Sequence, residues 1–86
     1  SAVAQYQLGL IYKEGNGVKH SMGKAIEWFK LAADQGHTKA QYDLGAMYER
    51  TLKQNSQSAQ NWFRKACESG VKAGCQNYRQ IANNRP

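Results

Sequence analysis

Apolar side chains in the first half of the chain recur at helical spacing, in two blocks separated by a glycine-rich break. Ala4, Leu8, Ile11 and Tyr12 fall at i, i+4, i+7 and i+8, which is one stripe on a helix. Ala25, Trp28, Phe29, Ala32 and Ala33 draw a second stripe of the same kind. The break reads EGNGVKHS, where Gly15, Asn16 and Gly17 supply the positive-φ positions of a tight turn. Ser21 stands where a helix N-cap belongs, and Asn55 holds the matching place further on. Gly36 and Gly70 read as helix stops, and Thr38 with Gln41 as a capping box. The pattern predicts an all-α chain with helices over residues 2–13, 22–35, 38–50, 56–69 and 72–83.

The second half repeats the first. Ala4, Gln5, Tyr6, Leu8, Gly9 and Tyr12 recur 36 residues later as Ala40, Gln41, Tyr42, Leu44, Gly45 and Tyr48. Ala25, Trp28, Phe29, Ala32 and Gly36 recur 34 residues later as Ala59, Trp62, Phe63, Ala66 and Gly70. Registered identities of this density mark a tandem repeat of helix pairs. One pair cannot bury its stripe alone, so neighbours stack into an α/α solenoid. Gly9 and Gly45 sit mid-helix, where glycine is about 1 kcal/mol worse than alanine. Paying that twice points to a close helix crossing, with the alanines at 25/59 and 32/66 on the facing surface and Trp28/Trp62 and Tyr12/Tyr48 filling the rest.

Composition supports this picture. The only proline is Pro86, and 41% of residues are hydrophobic, ordinary for a folded chain. Eighty-six residues suit one small domain. No stretch approaches the ~20 apolar residues of a membrane span, so membrane insertion is not expected. Twelve Lys and Arg against six Asp and Glu leave a net charge of +6, a bias toward acidic partners. The cations are dispersed and lack a basic groove-reading helix or exposed aromatics among them, which argues against nucleic acid.

Catalytic chemistry is not legible. His20 and His37 lie in loops without a Cys, Ser or carboxylate at a catalytic spacing, and both read as solvated polar residues. The six acids are scattered singly, and Gly15-x-Gly17 is too short for a phosphate loop. No metal, cofactor or active site is expected. The two cysteines, Cys67 and Cys75, flank the Gly70 turn. Their spacing is not that of a thioredoxin-like pair, and no His or further Cys stands near enough for a zinc site. The side chains can meet across the turn; a bonded pair and two free thiols both fit the residues.

The spacing A-x-x-x-L-G-x-x-Y-x-x-G-x-G-V-x-x-x-x-x-K-A-x-x-W-F-x-x-A-A-x-x-G is carried by Ala4, Leu8, Gly9, Tyr12, Gly15, Gly17, Val18, Lys24, Ala25, Trp28, Phe29, Ala32, Ala33 and Gly36. It resembles the Sel1-like repeat, a relative of the tetratricopeptide repeat, and within that family the cysteine-rich secreted bacterial subgroup. The second copy departs at Thr51–Gln54, which replaces the glycine turn, with Leu52 in the place of Val18. The resemblance implies a single domain over 1–86: repeat one over 2–37, repeat two over 38–71 and a capping helix over 72–83.

It further implies a non-catalytic adaptor that binds another protein in a bacterial envelope or secreted setting, with the cytoplasm as the alternative. A Cys67–Cys75 disulfide between a B helix and the next A helix is implied as well. Two other functions stand beside it: β-lactam binding or hydrolysis, linked to cysteine-rich members, and electrostatic binding of nucleic acid or anionic surfaces. In such solenoids the first helices of each pair form the inner wall. Its non-packing residues, Gln7, Lys13, Glu14, Asp43, Glu49, Arg50 and Arg79, are the candidate partner-binding set.

Overall fold

The structure, a computed structural model, describes residues 1–51 and 56–83. Its helices are α1 (Ala2–Glu14), α2 (Met22–Asp34), α3 (Thr38–Thr51), α4 (Ser56–Glu68) and α5 (Lys72–Asn83). They follow the chain as an antiparallel stack in which each helix packs on the next, giving a body of 41 × 24 × 16 Å. This is an α/α solenoid, and the predicted boundaries hold to within one residue at each described end.

Local chemistry sets most of those ends. The Ser1 hydroxyl accepts from the Ala4 N–H at 3.4 Å, and the Ser21 hydroxyl from the Lys24 N–H at 3.2 Å. Gly15 closes α1 with φ 74°, its N–H donating to the Ile11 carbonyl. Gly36 and Gly70 take φ of 90° and 101° after α2 and α4. The proposed Asn55 cap and the Leu52 substitution lie outside the described residues.

The start of α3 corrects the sequence reading. Thr38 and Gln41 do not form a capping box. His37 is the cap: its Nδ1 accepts from the Ala40 N–H at 3.1 Å while its ring stacks on Tyr6, centroids 4.6 Å apart. His37 is therefore a half-buried structural residue rather than a solvated one. Gln41 turns inward, where its Nε2 donates to the Ala33 carbonyl at 3.3 Å and its Oε1 accepts from the Ser69 hydroxyl.

The helical glycines do mark a close crossing, against a different residue from the one expected. A Cβ on Gly9 would lie 2.7 Å from Phe29 Cδ1, and one on Gly45 2.9 Å from Phe63 Cδ1. Both rings are fully buried, so they have no room to retreat. The alanines at 25, 32, 59 and 66 are fully buried, Ala25 and Ala32 in the Phe29 cluster and Ala59 in the Phe63 cluster.

Not every stripe residue is buried. Ala4 is exposed, and Trp28 is half-buried on the outer side of α2. Their counterparts Ala40 and Trp62 are buried because α2 packs against α3, and among the described residues no helix does the same for α1.

Candidate functional site

Two cross-helix rungs define the wall formed by α1, α3 and α5. The Tyr6 hydroxyl donates to Asp43 Oδ2 at 2.6 Å, linking α1 to α3. One repeat on, Asn77 Nδ2 donates to the Tyr42 hydroxyl at 3.1 Å, linking α3 to α5. Tyr6 also leans on Phe29, and Tyr42 on Phe63, with ring centroids 5.3 and 5.4 Å apart. Burial, and after it the Asp43 carboxylate that accepts its proton, pushes the Tyr6 phenol well above the ordinary tyrosine range. The phenol thus stays a hydrogen-bond donor, and Asp43 is held in place by it.

Beside the first rung, three helices enclose a small pocket of about 120 Å³. Lys13 reaches it from the last turn of α1, Met22 from the first turn of α2, and Tyr42, Asp43, Ala46, Met47 and Arg50 from α3. Its lining combines the apolar Met22, Ala46 and Met47 with two cations and one carboxylate. Asp43 already accepts from the Tyr6 hydroxyl, and Lys13 and Arg50 line the same pocket. Such a site fits an acidic side chain or a chain-terminal carboxylate with a short apolar neighbour.

Of the predicted wall residues, Lys13, Asp43 and Arg50 come together here. Gln7, Glu14, Glu49 and Arg79 are exposed and do not line this pocket; Glu14 accepts from Asn16 Nδ2 at 3.0 Å. The sequence reading missed the tyrosine rungs. Its available signal was the recurrence of Tyr6 as Tyr42, each with a polar partner, Asp43 and Asn77, at equivalent places.

The cysteines are joined as a disulfide, Cys67 in the last turn of α4 and Cys75 in the first turn of α5, with Cα atoms 4.6 Å apart. Gly74 makes this approach possible: a Cβ there would lie 2.9 Å from Ala66 Cβ and 3.0 Å from the Cys67 nitrogen. Elsewhere, Tyr12, Trp28 and Leu31 line an open groove of about 530 Å³ on the outer side of α2, edged by Lys24, Glu27, Lys30 and Asp34. Among the described residues no group of three or more His, Cys, Asp or Glu is placed to hold a metal ion. No described helix is long and apolar enough to cross a membrane.

Comparison with known proteins agrees with this architecture. The Sel1 repeat model matches residues 2–37 and 38–71. A Sel1-like repeat-containing protein of Acanthamoeba polyphaga mimivirus is 40% identical over 68 residues, covering 79% of this chain and 12% of the viral protein. The Sel1-repeat-containing protein YjcO of Escherichia coli strain K12 is 33% identical over 85 residues, covering 93% of this chain and 37% of YjcO. Among solved structures, c5321, a protective antigen present in uropathogenic Escherichia coli strains and displaying an SLR fold, superposes with a TM-score of 0.84 at 30% identity. That match covers 94% of this chain and 18% of c5321. Sel1 repeats are in general protein-binding scaffolds rather than catalysts. With both repeats matched by the family model and the fold shared with a solved member, the chain belongs to the Sel1 repeat family.

Proposed function

We propose that this chain is a non-catalytic adaptor whose α1–α3–α5 wall holds a segment of another protein. The pocket at Lys13 and Arg50 receives an acidic group of that segment. One observation carries the assignment: two cations from different helices line one pocket with Met22, Ala46 and Met47, and its one carboxylate already accepts from Tyr6. The exposed residues Gln7, Glu14, Glu49 and Arg79 extend the contact along the same helices.

The adaptor works in the bacterial envelope or outside the cell. The Cys67–Cys75 bond supports this, because such bonds persist in oxidising compartments. The likeness to a protective antigen of Escherichia coli points the same way.

A pull-down from envelope and secreted fractions, repeated with Lys13→Ala and Arg50→Ala together, tests the assignment. A protein retained by the parent and lost from the double variant is the expected result. Retention by both would remove the pocket from the binding surface. Capture of DNA or heparin that survives physiological salt would instead favour electrostatic binding, for which the +6 charge is the supporting observation.

A further inference from the structure

The turn between α1 and α2 holds a reactive pair that the adaptor function leaves unused. Asn16-Gly17 is the one Asn-Gly step in the sequence, and both residues are exposed. Asn16 follows the left-handed Gly15, and its N–H donates to the Ile11 carbonyl at 3.2 Å. Beyond that anchor the chain is open. A Cβ on Gly17 would meet nothing within 4 Å, and among the described residues no hydrogen bond engages the Gly17 N–H. That nitrogen can reach the preceding side-chain amide, and a glycine, lacking a Cβ, leaves the approach unobstructed.

We propose that Asn16 is a self-modification site, converting through a cyclic imide to aspartate and isoaspartate with water as the only co-reactant. The Gly17 nitrogen gives its proton to hydroxide and attacks Asn16 Cγ. The Cγ–Nδ2 bond breaks, and Nδ2 leaves as ammonia after taking a proton from water. Water then opens the imide at either carbonyl. One opening restores the original backbone with a carboxylate side chain; the other routes the chain through Cγ and lengthens it by a methylene. Nothing is oxidised or reduced.

One contact opposes the reaction. Asn16 Nδ2 donates to Glu14 Oε1 at 3.0 Å, tying the leaving group to the end of α1. Both side chains face water, so that bond slows conversion by about fivefold at most. The product reverses the sign of the contact. A carboxylate at position 16 faces the Glu14 carboxylate to which the amide had donated. It also lies at the C-terminal end of α1, where the helix dipole disfavours negative charge. The turn that brings the Ser21 N–H to the Tyr12 carbonyl at 3.1 Å is loosened, the more so by an added methylene. The chain thus carries a timer whose output is a looser, less basic α1–α2 hairpin.

Ageing the full chain at mildly alkaline pH and mapping its peptides by mass spectrometry tests this. Trypsin releases residues 14–19, and this peptide should gain about one mass unit as its amide becomes a carboxyl. The gain should be at least about tenfold faster than at Asn61 and Asn77, which sit in helices before the bulky Trp62 and Tyr78. The synthetic peptide EGNGVK is the unfolded reference, and the folded chain should convert within about fivefold of it. Asn16→Gln removes the gain, since its longer side chain needs a larger ring. Hydroxylamine, which opens the imide, should cut the parent between residues 16 and 17 and spare that variant. The converted form, separated by ion exchange, should melt about 2–5 °C below the parent. Slower conversion than that of the peptide by more than the stated margin would mean the turn shields the pair, and would overturn the proposal. A mass gain that survives Asn16→Gln, or conversion with no loss of melting temperature, would overturn it as well.

Discussion

The α2–α3 and α4–α5 junctions occupy equivalent places in the repeat and are closed by different chemistry. Ala33 and Gln41 at the first correspond to Cys67 and Cys75 at the second. At the first, a buried amide donates to a backbone carbonyl at 3.3 Å. At the second, two sulfurs are covalently joined. The position just before Gln41 and Cys75 also differs in kind: Ala40 keeps its Cβ in the first seam, while Gly74 lets α5 settle closer onto α4 in the second. A position the repeat uses to fasten helices can therefore carry a hydrogen bond or a bond proper, provided its neighbour adjusts in size. The fold itself needs only the former.

Opening the covalent junction should have the largest effect. Cys67→Ala with Cys75→Ala removes a short-loop cross-link worth about 2.5 kcal/mol of chain entropy. The melting temperature should fall by roughly 10–20 °C, with α5 amides gaining exchange first. An unchanged melting temperature, with α5 no more labile than α3, would mean the bond is ornamental.

Next comes Gly74→Ala, which restores the first junction's residue without its spacing. Helix propensity gains about 1 kcal/mol, but the new Cβ meets Ala66, the Phe63 carbonyl and the Cys67 nitrogen at 2.9–3.0 Å. Overpacking wins, for a net loss of about 1–2 kcal/mol by chemical denaturation. A gain in stability would show that α5 can slide, and the size argument would fail. Gln41→Leu should lower stability by about 1 kcal/mol, because the buried amide's bonds to the Ala33 carbonyl, which keeps the Gly36 N–H, and to the Ser69 hydroxyl are lost while apolar volume is kept.

The smallest effect lies in the tyrosine rungs, where the first repeat uses a carboxylate and the second an amide. Asp43→Asn makes them alike. The Tyr6 phenol should then ionise at lower pH, though burial keeps it above its ordinary range. Absorbance at about 295 nm during alkaline titration follows this. In the parent, the raised phenol contributes stability fully below the unfolded-state value of about 10, and that contribution disappears as pH rises through the folded value. A Tyr6 titration unmoved by Asp43→Asn would leave burial as the sole cause.

Helix positions, turn glycines and the repeat register were readable from the chain because each rests on local spacing. Gly9 and Gly45 announced a tight crossing, but not that a phenylalanine fills it, since that depends on which ring the neighbouring helix turns inward. Thr38 and Gln41 match a capping signature, and the structure overrides it: the amide is drawn into the α2–α3 seam, and His37, braced by Tyr6, caps the helix instead. The Tyr6–Asp43 pair spans 37 positions, so it emerges only once superhelical geometry brings α1 beside α3. For the pocket, period alone selected Lys13, Asp43 and Arg50 together with four residues that lie elsewhere, because a helical wheel gives a face and not a depth.

The glycine crossings bear on how the chain acquires order. A 13-residue helix is marginal by itself in water, and α1 carries Gly9 at its middle. Only when the Phe29 ring lands on that glycine does the missing methyl become an advantage. The hairpin α1–α2, and by the same token α3–α4, is then the smallest piece that can be cooperative. Helicity should appear two elements at a time, and no single helix should persist while its partner is unfolded.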